Sequence, residues 1–308
     1  MTPLPRIAVV IPCYNAQDWI GRAIGSVLAQ GYGDLVMIVV DDGSSDASAD
    51  RVRDFGDRVI LQSGPNRGAN HARNQGLRLA QERGADYILF LDADDYLEGE
   101  MLAGATDVAA RTGADMVLSE MHLEHPDGTR EERFLYSGQV APETFFDGWL
   151  HGQIFHPASI LWRLAFVQQV GGWDESLMQS QDTDICLRAM FETPLIMKND
   201  RGLAIYANVN PGSLSQNASG KSTEDRITVM ARLIKRTSGT SLEPYRPLLM
   251  AKLYTITRTA FRLKQVDLGR RGIQELASFG FRGNPGSPVH RIASNLIGLE
   301  AKVRLWGN

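Results

Sequence analysis

The sequence predicts an α/β fold, a doubly wound and mainly parallel sheet with a helical C-terminal appendage, and three observations carry that expectation. Four aliphatic runs stand out early: RIAVVI (6–11), LVMIVV (35–40), RVILQ (58–62) and YILFL (87–91). They are too uniformly apolar for strands with one wet face, which suits central parallel strands covered on both sides. Helical patterns alternate with them, and from about residue 221 the pattern becomes wholly helical.

Each element follows from its local pattern. Between the first two runs, Ile20, Ala23, Ile24, Val27 and Leu28 fall at i, i+3, i+4, i+7 and i+8, a single helical stripe. Between the third and fourth, GANHARNQGLRLAQERGA reads as a second helix, with Leu77 and Ala80 on its apolar side and a stop at Gly84. The spacing next predicts a helix near 99–111, a strand over DMVLS (115–119) and a hairpin at HPDGT (125–129), where Pro-Asp-Gly supplies the turn. A further helix is expected over 182–192. TEDRITVMARLIKRT and LLMAKLYTITRTAFRLKQ then read as long helices, broken by FRGNPGSP (281–288). The expected organisation is one domain over 1–215 and a helical region over 216–308.

Composition bounds the function. A chain of 308 residues that is 43% hydrophobic supports a sizeable core. Cys13 and Cys186 show neither zinc-site spacing nor the density of a disulfide scaffold, which suits a reducing cytoplasm. The N-terminal apolar run is too short for a secretion signal, and no stretch has the length of a membrane span. The net charge of −4 is unevenly spread: residues 1–220 carry 16 basic and 30 acidic side chains, residues 221–308 carry 16 and 6. A basic tail behind an acidic body fits peripheral attachment to an anionic membrane surface, here the inner face of the cell membrane. The alternatives are that the tail docks on the acidic body or presents a solvated face, or that it contacts the acceptor or a second copy. No motif points to nucleic acid.

Polar residues collect where the strands end. PCYN follows the first run, DDGSSD the second, GPNRG the third, and DADD the fourth. In a doubly wound sheet the carboxyl ends of the strands line one crevice, so these segments share a pocket. Pro12 ends the first ladder and Tyr14 offers a flat ring, while Asp41, Asp42 and either Arg67 or Arg73 add charge. That set suits a nucleotide diphosphate held through a divalent cation, Mn²⁺ or Mg²⁺. On an extended segment Asp92 and Asp94 point the same way and Ala93 elsewhere, leaving Asp95 to support the turn.

VVIPCYNAQDWIGRAIGSVLAQ, IVVDDGSSDAS, NRGANHARNQG, LFLDADDYL, GGWDESL and QDTDICLR together resemble a family 2 glycosyltransferase with the Rossmann-like GT-A fold, over about residues 5–215. The resemblance implies transfer of a sugar from a nucleotide diphosphate donor, UDP above all, with inversion at the anomeric carbon. It places Pro12, Tyr14, Asp41, Asp42, Asn66, Gly68, Arg73, Asp92 and Ala93 around the nucleotide. Asp94 becomes the principal metal ligand, with Asp92 beside it and Asn210 where relatives carry a His. Asp182 becomes the general base, and Trp173 and Gln181 face the acceptor. Gln181 stands where the family usually has Glu, and His156 reads as structural. The implied setting is synthesis of a surface polysaccharide on a glycan or lipid-linked acceptor. Two rivals stay open: a nucleotide-sugar-binding module without catalysis, suggested by Gln181 and Asn210, and a nucleotidyltransferase, whose Gly/Arg/Lys-rich first loop PCYNAQDW lacks. A dehydrogenase is excluded because no G-x-G-x-x-G follows the first strand.

Overall fold

The computed structural model describes residues 4–132, 136–153, 156–207 and 220–281. The chain divides into two compact units, one of Met1–Ser176 with Gln181–Pro211 and one of Leu177–Ser180 with Gly212–Asn308.

The first unit is built on a mixed sheet. Strands β1 (Ile7–Cys13), β2 (Leu35–Asp41), β3 (Ile60–Ser63) and β4 (Tyr87–Phe90) lie in the order β3-β2-β1-β4, every pair parallel. These are the four apolar runs; burial of β1, β2 and β4 on both faces accounts for the missing alternation, while β3, at the edge of the sheet, is only partly buried. Beyond β4 the sheet continues through β9 (Ile160–Arg163), which is antiparallel to β4 and to β6 (Met116–Glu124). Strand β10 (Ile196–Ala207) then pairs parallel with β6, and the short β5 (Tyr96–Glu98) lies antiparallel at the edge. Two short strands, β7 (Arg130–Glu132) and β8 (Gln139–Val140), attach to β6 and β10. Mainly parallel therefore holds, with β5, β7, β8 and β9 as the reversed strands.

Helix α1 (Ile20–Leu28) buries Ile20, Ala23, Ile24 and Val27, the stripe the spacing predicts. They join Ile7, Val9, Ile11, Met37 and Val39 with Leu102 and Ala105 of α4 (Met101–Thr112) in one apolar cluster. Helix α3 (Ala69–Glu82) ends at Gly84, whose φ of 69° no other residue type adopts readily. Its Gly76 meets β1 so closely that a Cβ there would lie 2.2 Å from Cγ1 of Val10. The helix opens beside the carboxyl ends of β1 and β2, and Arg73 lies one turn before Gly76.

Two local expectations change. Pro12 lies inside β1 instead of ending it, paired with Val40. It is tolerated because the pairing of β1 with β4 stops at Val10, so no ladder on that side needs its missing N–H. The acidic DADD segment is a turn, closed by the Asp95 N–H donating to the Asp92 carbonyl at 3.1 Å, so the extended two-residue alternation does not apply.

The second unit is helical. Helices α8 (Gly220–Thr237), α9 (Arg246–Arg262) and α10 (Val266–Ser278) pack on one another. Gly272 of α10 abuts Thr257 of α9, with space for a Cβ only 2.2 Å from Oγ1. Asp225 of α8 is 1% exposed. One of its oxygens accepts from the N–H groups of Met178 and Gln179 at 2.8 and 2.9 Å, and the other meets Lys221 Nζ at 2.9 Å.

Candidate active site

The segments after β1, β2 and β3 are stitched together by side-chain to backbone bonds. Asn15, held at φ 48°, accepts the Ser45 N–H on Oδ1 at 2.8 Å, and its own N–H donates to Ser44 Oγ at 3.0 Å. Asp41 accepts the Ser44 N–H at 3.0 Å, closing the turn that follows β2. Asp42 accepts the N–H groups of Arg67 and Gly68 at 2.8 and 2.7 Å, one on each oxygen. Gly43 lies between them at φ 79°, where a Cβ would be 2.8 Å from the Asn66 nitrogen. PCYN, DDGSSD and GPNRG thus share one wall. Asp41 and Asp42 are buried, and Asp42 braces the Arg67–Gly68 backbone. Tyr14, 53% exposed, stands out from this wall with Asn66 and Gly68, and Pro12 is half-buried.

Arg73 is the centre of the site. It is 4% exposed, and its Nη2 donates to Asp92 Oδ1 at 2.6 Å while Nη1 donates to Gln181 Oε1 at 2.8 Å. Burial alone would favour the neutral guanidine, but the Asp92 and Asp182 carboxylates outweigh it and hold the charge firmly on Arg73. Asp92 is pushed up by burial and pulled below its ordinary range by Arg73 and His156. The remaining members of the turn differ. Ala93 is buried and Asp94 is half-buried, with its carbonyl accepting from Arg22 Nη2 at 2.7 Å. Asp95 is fully buried and accepts the Ala207 N–H at 2.9 Å, which agrees with turn support. Burial, reinforced by Asp92 and Asp94, drives its carboxyl well above the ordinary range.

His156 is a residue that sequence reasoning set aside. It is 6% exposed, stacks on Tyr206 at 4.7 Å, and brings Nε2 to 3.6 Å from Asp92 and 3.3 Å from Asp95. These three side chains are the described group at this site whose atoms converge as metal ligands do. Nδ1, however, lies 3.4 Å from the Ala158 N–H, which turns Nε2 to the two carboxylates and favours a clamp on them over a ligand. No local signal marks His156, because β9, which follows it, joins the sheet only through long-range pairing.

Trp173 requires a correction. It is 3% exposed, meets Phe90 edge-on at 5.2 Å and lies under the Arg73 guanidinium at 4.4 Å, so its ring is not open to a sugar. Asn74 fixes it there by accepting the Trp173 N–H at 2.9 Å and donating to its carbonyl at 2.8 Å. Two further residues of α3 hold the same loop, since Asn70 donates to the Asp174 carbonyl and His71 pairs with Glu175.

Helix α7 (Gln181–Met190) starts with Gln181 and Asp182, both half-buried at its first turn. Asp182 Oδ1 is buried without a hydrogen-bond partner among the described residues. Burial raises the Asp182 carboxyl above its ordinary range, and Arg73 and His156 only partly offset this. Asp184 and Arg188 are structural: Arg188 donates to Asp184 and to the carbonyls of Val170 and Gly172, fixing the loop before Trp173. Burial pushes the Cys13 thiol up to about 12 and Cys186 well above its usual range, so neither is a nucleophile near neutrality. Asn210 lies outside the described residues. Asp92 and Asp94, two partly exposed carboxylates on one tight turn, have the donor chemistry of a hard divalent cation.

Comparison with known proteins bears on the family and the fold. The model of glycosyl transferase family 2 matches residues 8–159. A Bacillus subtilis protein named uncharacterized glycosyltransferase EpsJ is 29% identical over 69% of this chain and 64% of its own. The B. subtilis putative teichuronic acid biosynthesis glycosyltransferase TuaG is 32% identical over 46% of this chain and 54% of its own. This chain therefore spans less than two thirds of either relative. Among solved structures, S. aureus TarS 1-349 in complex with UDP-GlcNAc superposes with a TM-score of 0.69 at 20% identity, over 89% of this chain and 80% of that one. The mannosyltransferase PcManGT from Pyrobaculum calidifontis, in complex with GDP-Man and Mn²⁺, gives 0.53 at 19% identity, over 99% and 88%. At such identities the likeness establishes the fold, which is of the GT-A type. From β1 to the start of β9, this chain matches the model of glycosyl transferase family 2.

Proposed function

We propose that the protein is an inverting glycosyltransferase that moves a sugar from a nucleotide diphosphate, UDP first among the candidates, to a hydroxyl of a glycan or lipid-linked acceptor. The observation that carries this reading is Arg73, one buried cation that joins the Asp92 carboxylate to Gln181, the neighbour of an Asp182 with an orphaned oxygen. Inversion in one step needs a carboxylate that takes the acceptor proton as its oxygen attacks opposite the leaving phosphate. Asp182 suits that task, since burial makes it a stronger base than an exposed carboxylate.

The other residues hold the donor. Tyr14 offers its exposed ring to the base, with Pro12, Asp41, Asn66 and Gly68 as the surrounding wall and Asp42 keeping that wall in shape. Arg73 orients Asp92, and Ala93 lines the turn. Asp94 and Asp92 would hold Mn²⁺ or Mg²⁺, whose chemistry when bound is to neutralise the departing diphosphate. Gln181 keeps Arg73 aligned at the acceptor side without adding a second acid. The name of TuaG favours a surface polysaccharide as the product, and the basic residues of 221–308 favour work at the inner face of the cell membrane.

A thermal-shift screen of nucleotide sugars with and without MnCl₂ tests the donor, because a ligand that binds only the native state raises the melting temperature. Transfer assays with the best donor then test the base. If no nucleotide sugar stabilises the protein, or if Asp182→Ala retains transfer, the reading fails. Stabilisation by a donor with no transfer to any acceptor would favour the non-catalytic module.

A further inference from the structure

The helical unit presents a surface with a distinct composition. Helix α9 carries Arg246, Lys252, Arg258 and Arg262 and no acidic residue. Its inward side is made of Leu249, Leu253, Tyr254, Thr257 and Ala260, which are buried where α8 and α10 pack. At 100° per residue the opposite side comprises Leu248, Thr255, Arg258, Thr259 and Arg262, and these five are exposed. Leu248 at one end of the helix is 45% exposed, and Leu263, just past the other end, is 47% exposed. They are two of the five large hydrophobic residues exposed among the described residues.

We infer that this face of α9 is the surface by which the protein docks on an anionic lipid bilayer, with Arg258 and Arg262 at the headgroups and Leu248 and Leu263 entering the acyl boundary. The inference deepens the membrane attachment proposed above by naming its residues. Charge complementarity selects an anionic partner, since a helix free of carboxylates has nothing to repel phosphate groups. The exposed leucines select a bilayer over a soluble polyanion, which gives an apolar side chain nowhere to go. The two leucines are separated by 15 positions, about 22 Å along a helix, so they flank the two arginines at opposite ends of the face.

Flotation of the full chain with phosphatidylcholine vesicles, with and without 30 mol % phosphatidylglycerol, tests the inference. Binding is expected only with the anionic lipid, falling as NaCl rises from about 50 to 300 mM. Each neutralised charge should weaken partition about fivefold, so Arg258→Gln with Arg262→Gln costs roughly 25-fold. Leu248→Ser with Leu263→Ser should weaken the binding that survives at high salt. All variants should melt as the wild type does, because the altered residues face solvent. Unchanged partition for both double variants would overturn the inference, as would equal partition to neutral vesicles. Soluble polyphosphate that displaces the wild type from vesicles yet binds the Leu248→Ser, Leu263→Ser protein equally well would overturn the choice of a bilayer. UDP titration of the same samples separates the two proposals: nucleotide binding without vesicle binding sinks this surface alone, and the reverse sinks the transferase reading alone.

Discussion

Arg73 Nη2 lies 2.6 Å from Asp92 Oδ1, so one ion pair joins the helix that follows β3 to the turn that follows β4. The pair is asymmetric, with Arg73 5% and Asp92 27% exposed at the side chain. Arg73→Met should leave a largely buried carboxylate unpaired and cost about 2–4 kcal/mol, below the full buried figure because water reaches Asp92. Arg73→Lys keeps the charge but loses the fork that serves Asp92 and Gln181 together, so it should fold while kcat/KM falls at least tenfold. Urea denaturation and steady-state kinetics check the two variants. Wild-type rates for Arg73→Lys would show that the fork is unimportant.

Burial sets the working range of Asp182. A base acts in its deprotonated form, and its carboxyl is raised by burial against the pull of Arg73 and His156. Activity should therefore be full at neutral pH and fall as the pH drops through a midpoint above the ordinary carboxylate range. Gln181→Glu places a second carboxylate on Arg73 and beside Asp182, which holds the Asp182 proton more tightly. The acidic limb of kcat/KM should move to higher pH in that variant. A limb that moves down, or persists in Asp182→Asn, would assign it to another group.

How much of this site was legible follows from how each part is encoded. Strands β1, β2 and β4 and helix α1 announce themselves, because burial on two faces and a 3.6-residue stripe are local patterns. The acid-bearing turns were legible for the same reason, since each closes a recognisable strand. Trp173 differs from expectation because its place under Arg73 comes from contacts across a long sequence separation, and the position of His156 beside Asp92 and Asp95 is hidden in the sequence for the same reason. The shape of DADD was misjudged because a turn and a strand end share the same composition. The short reversed strands β5, β7, β8 and β9 have too few residues for a period to show.

Trp173 sits under Arg73, and this predicts kinetics different from those of a sugar platform. Trp173→Leu removes a cation–π contact of about 0.5–2 kcal/mol and lets the guanidinium shift. Because small misplacements are costly at a reacting centre, kcat should fall roughly 10- to 100-fold while the acceptor KM stays near wild type. Trp173→Phe should recover most of the loss. A ring that stacked on the acceptor would instead raise the acceptor KM and leave kcat at saturation unchanged.

Gly76 tests whether α3 must lie this close to β1. A methyl group there would meet Cγ1, Cγ2 and Cβ of Val10 at 2.2, 2.9 and 3.1 Å, and a valine in a strand has little rotamer freedom to yield. Gly76→Ala should cost about 1–3 kcal/mol by overpacking, offset only slightly by the higher helix propensity of alanine. It should also push Arg73, one turn away, off Asp92 and lower kcat. Val10→Ala removes both clashing methyl groups, so the double variant should be more stable than the sum of its two single losses predicts, and should regain part of kcat. Chemical denaturation of the four proteins measures that coupling. Strict additivity would mean that α3 shifts freely on the sheet, and the position of Arg73 would then depend on Asp92 and Gln181 alone.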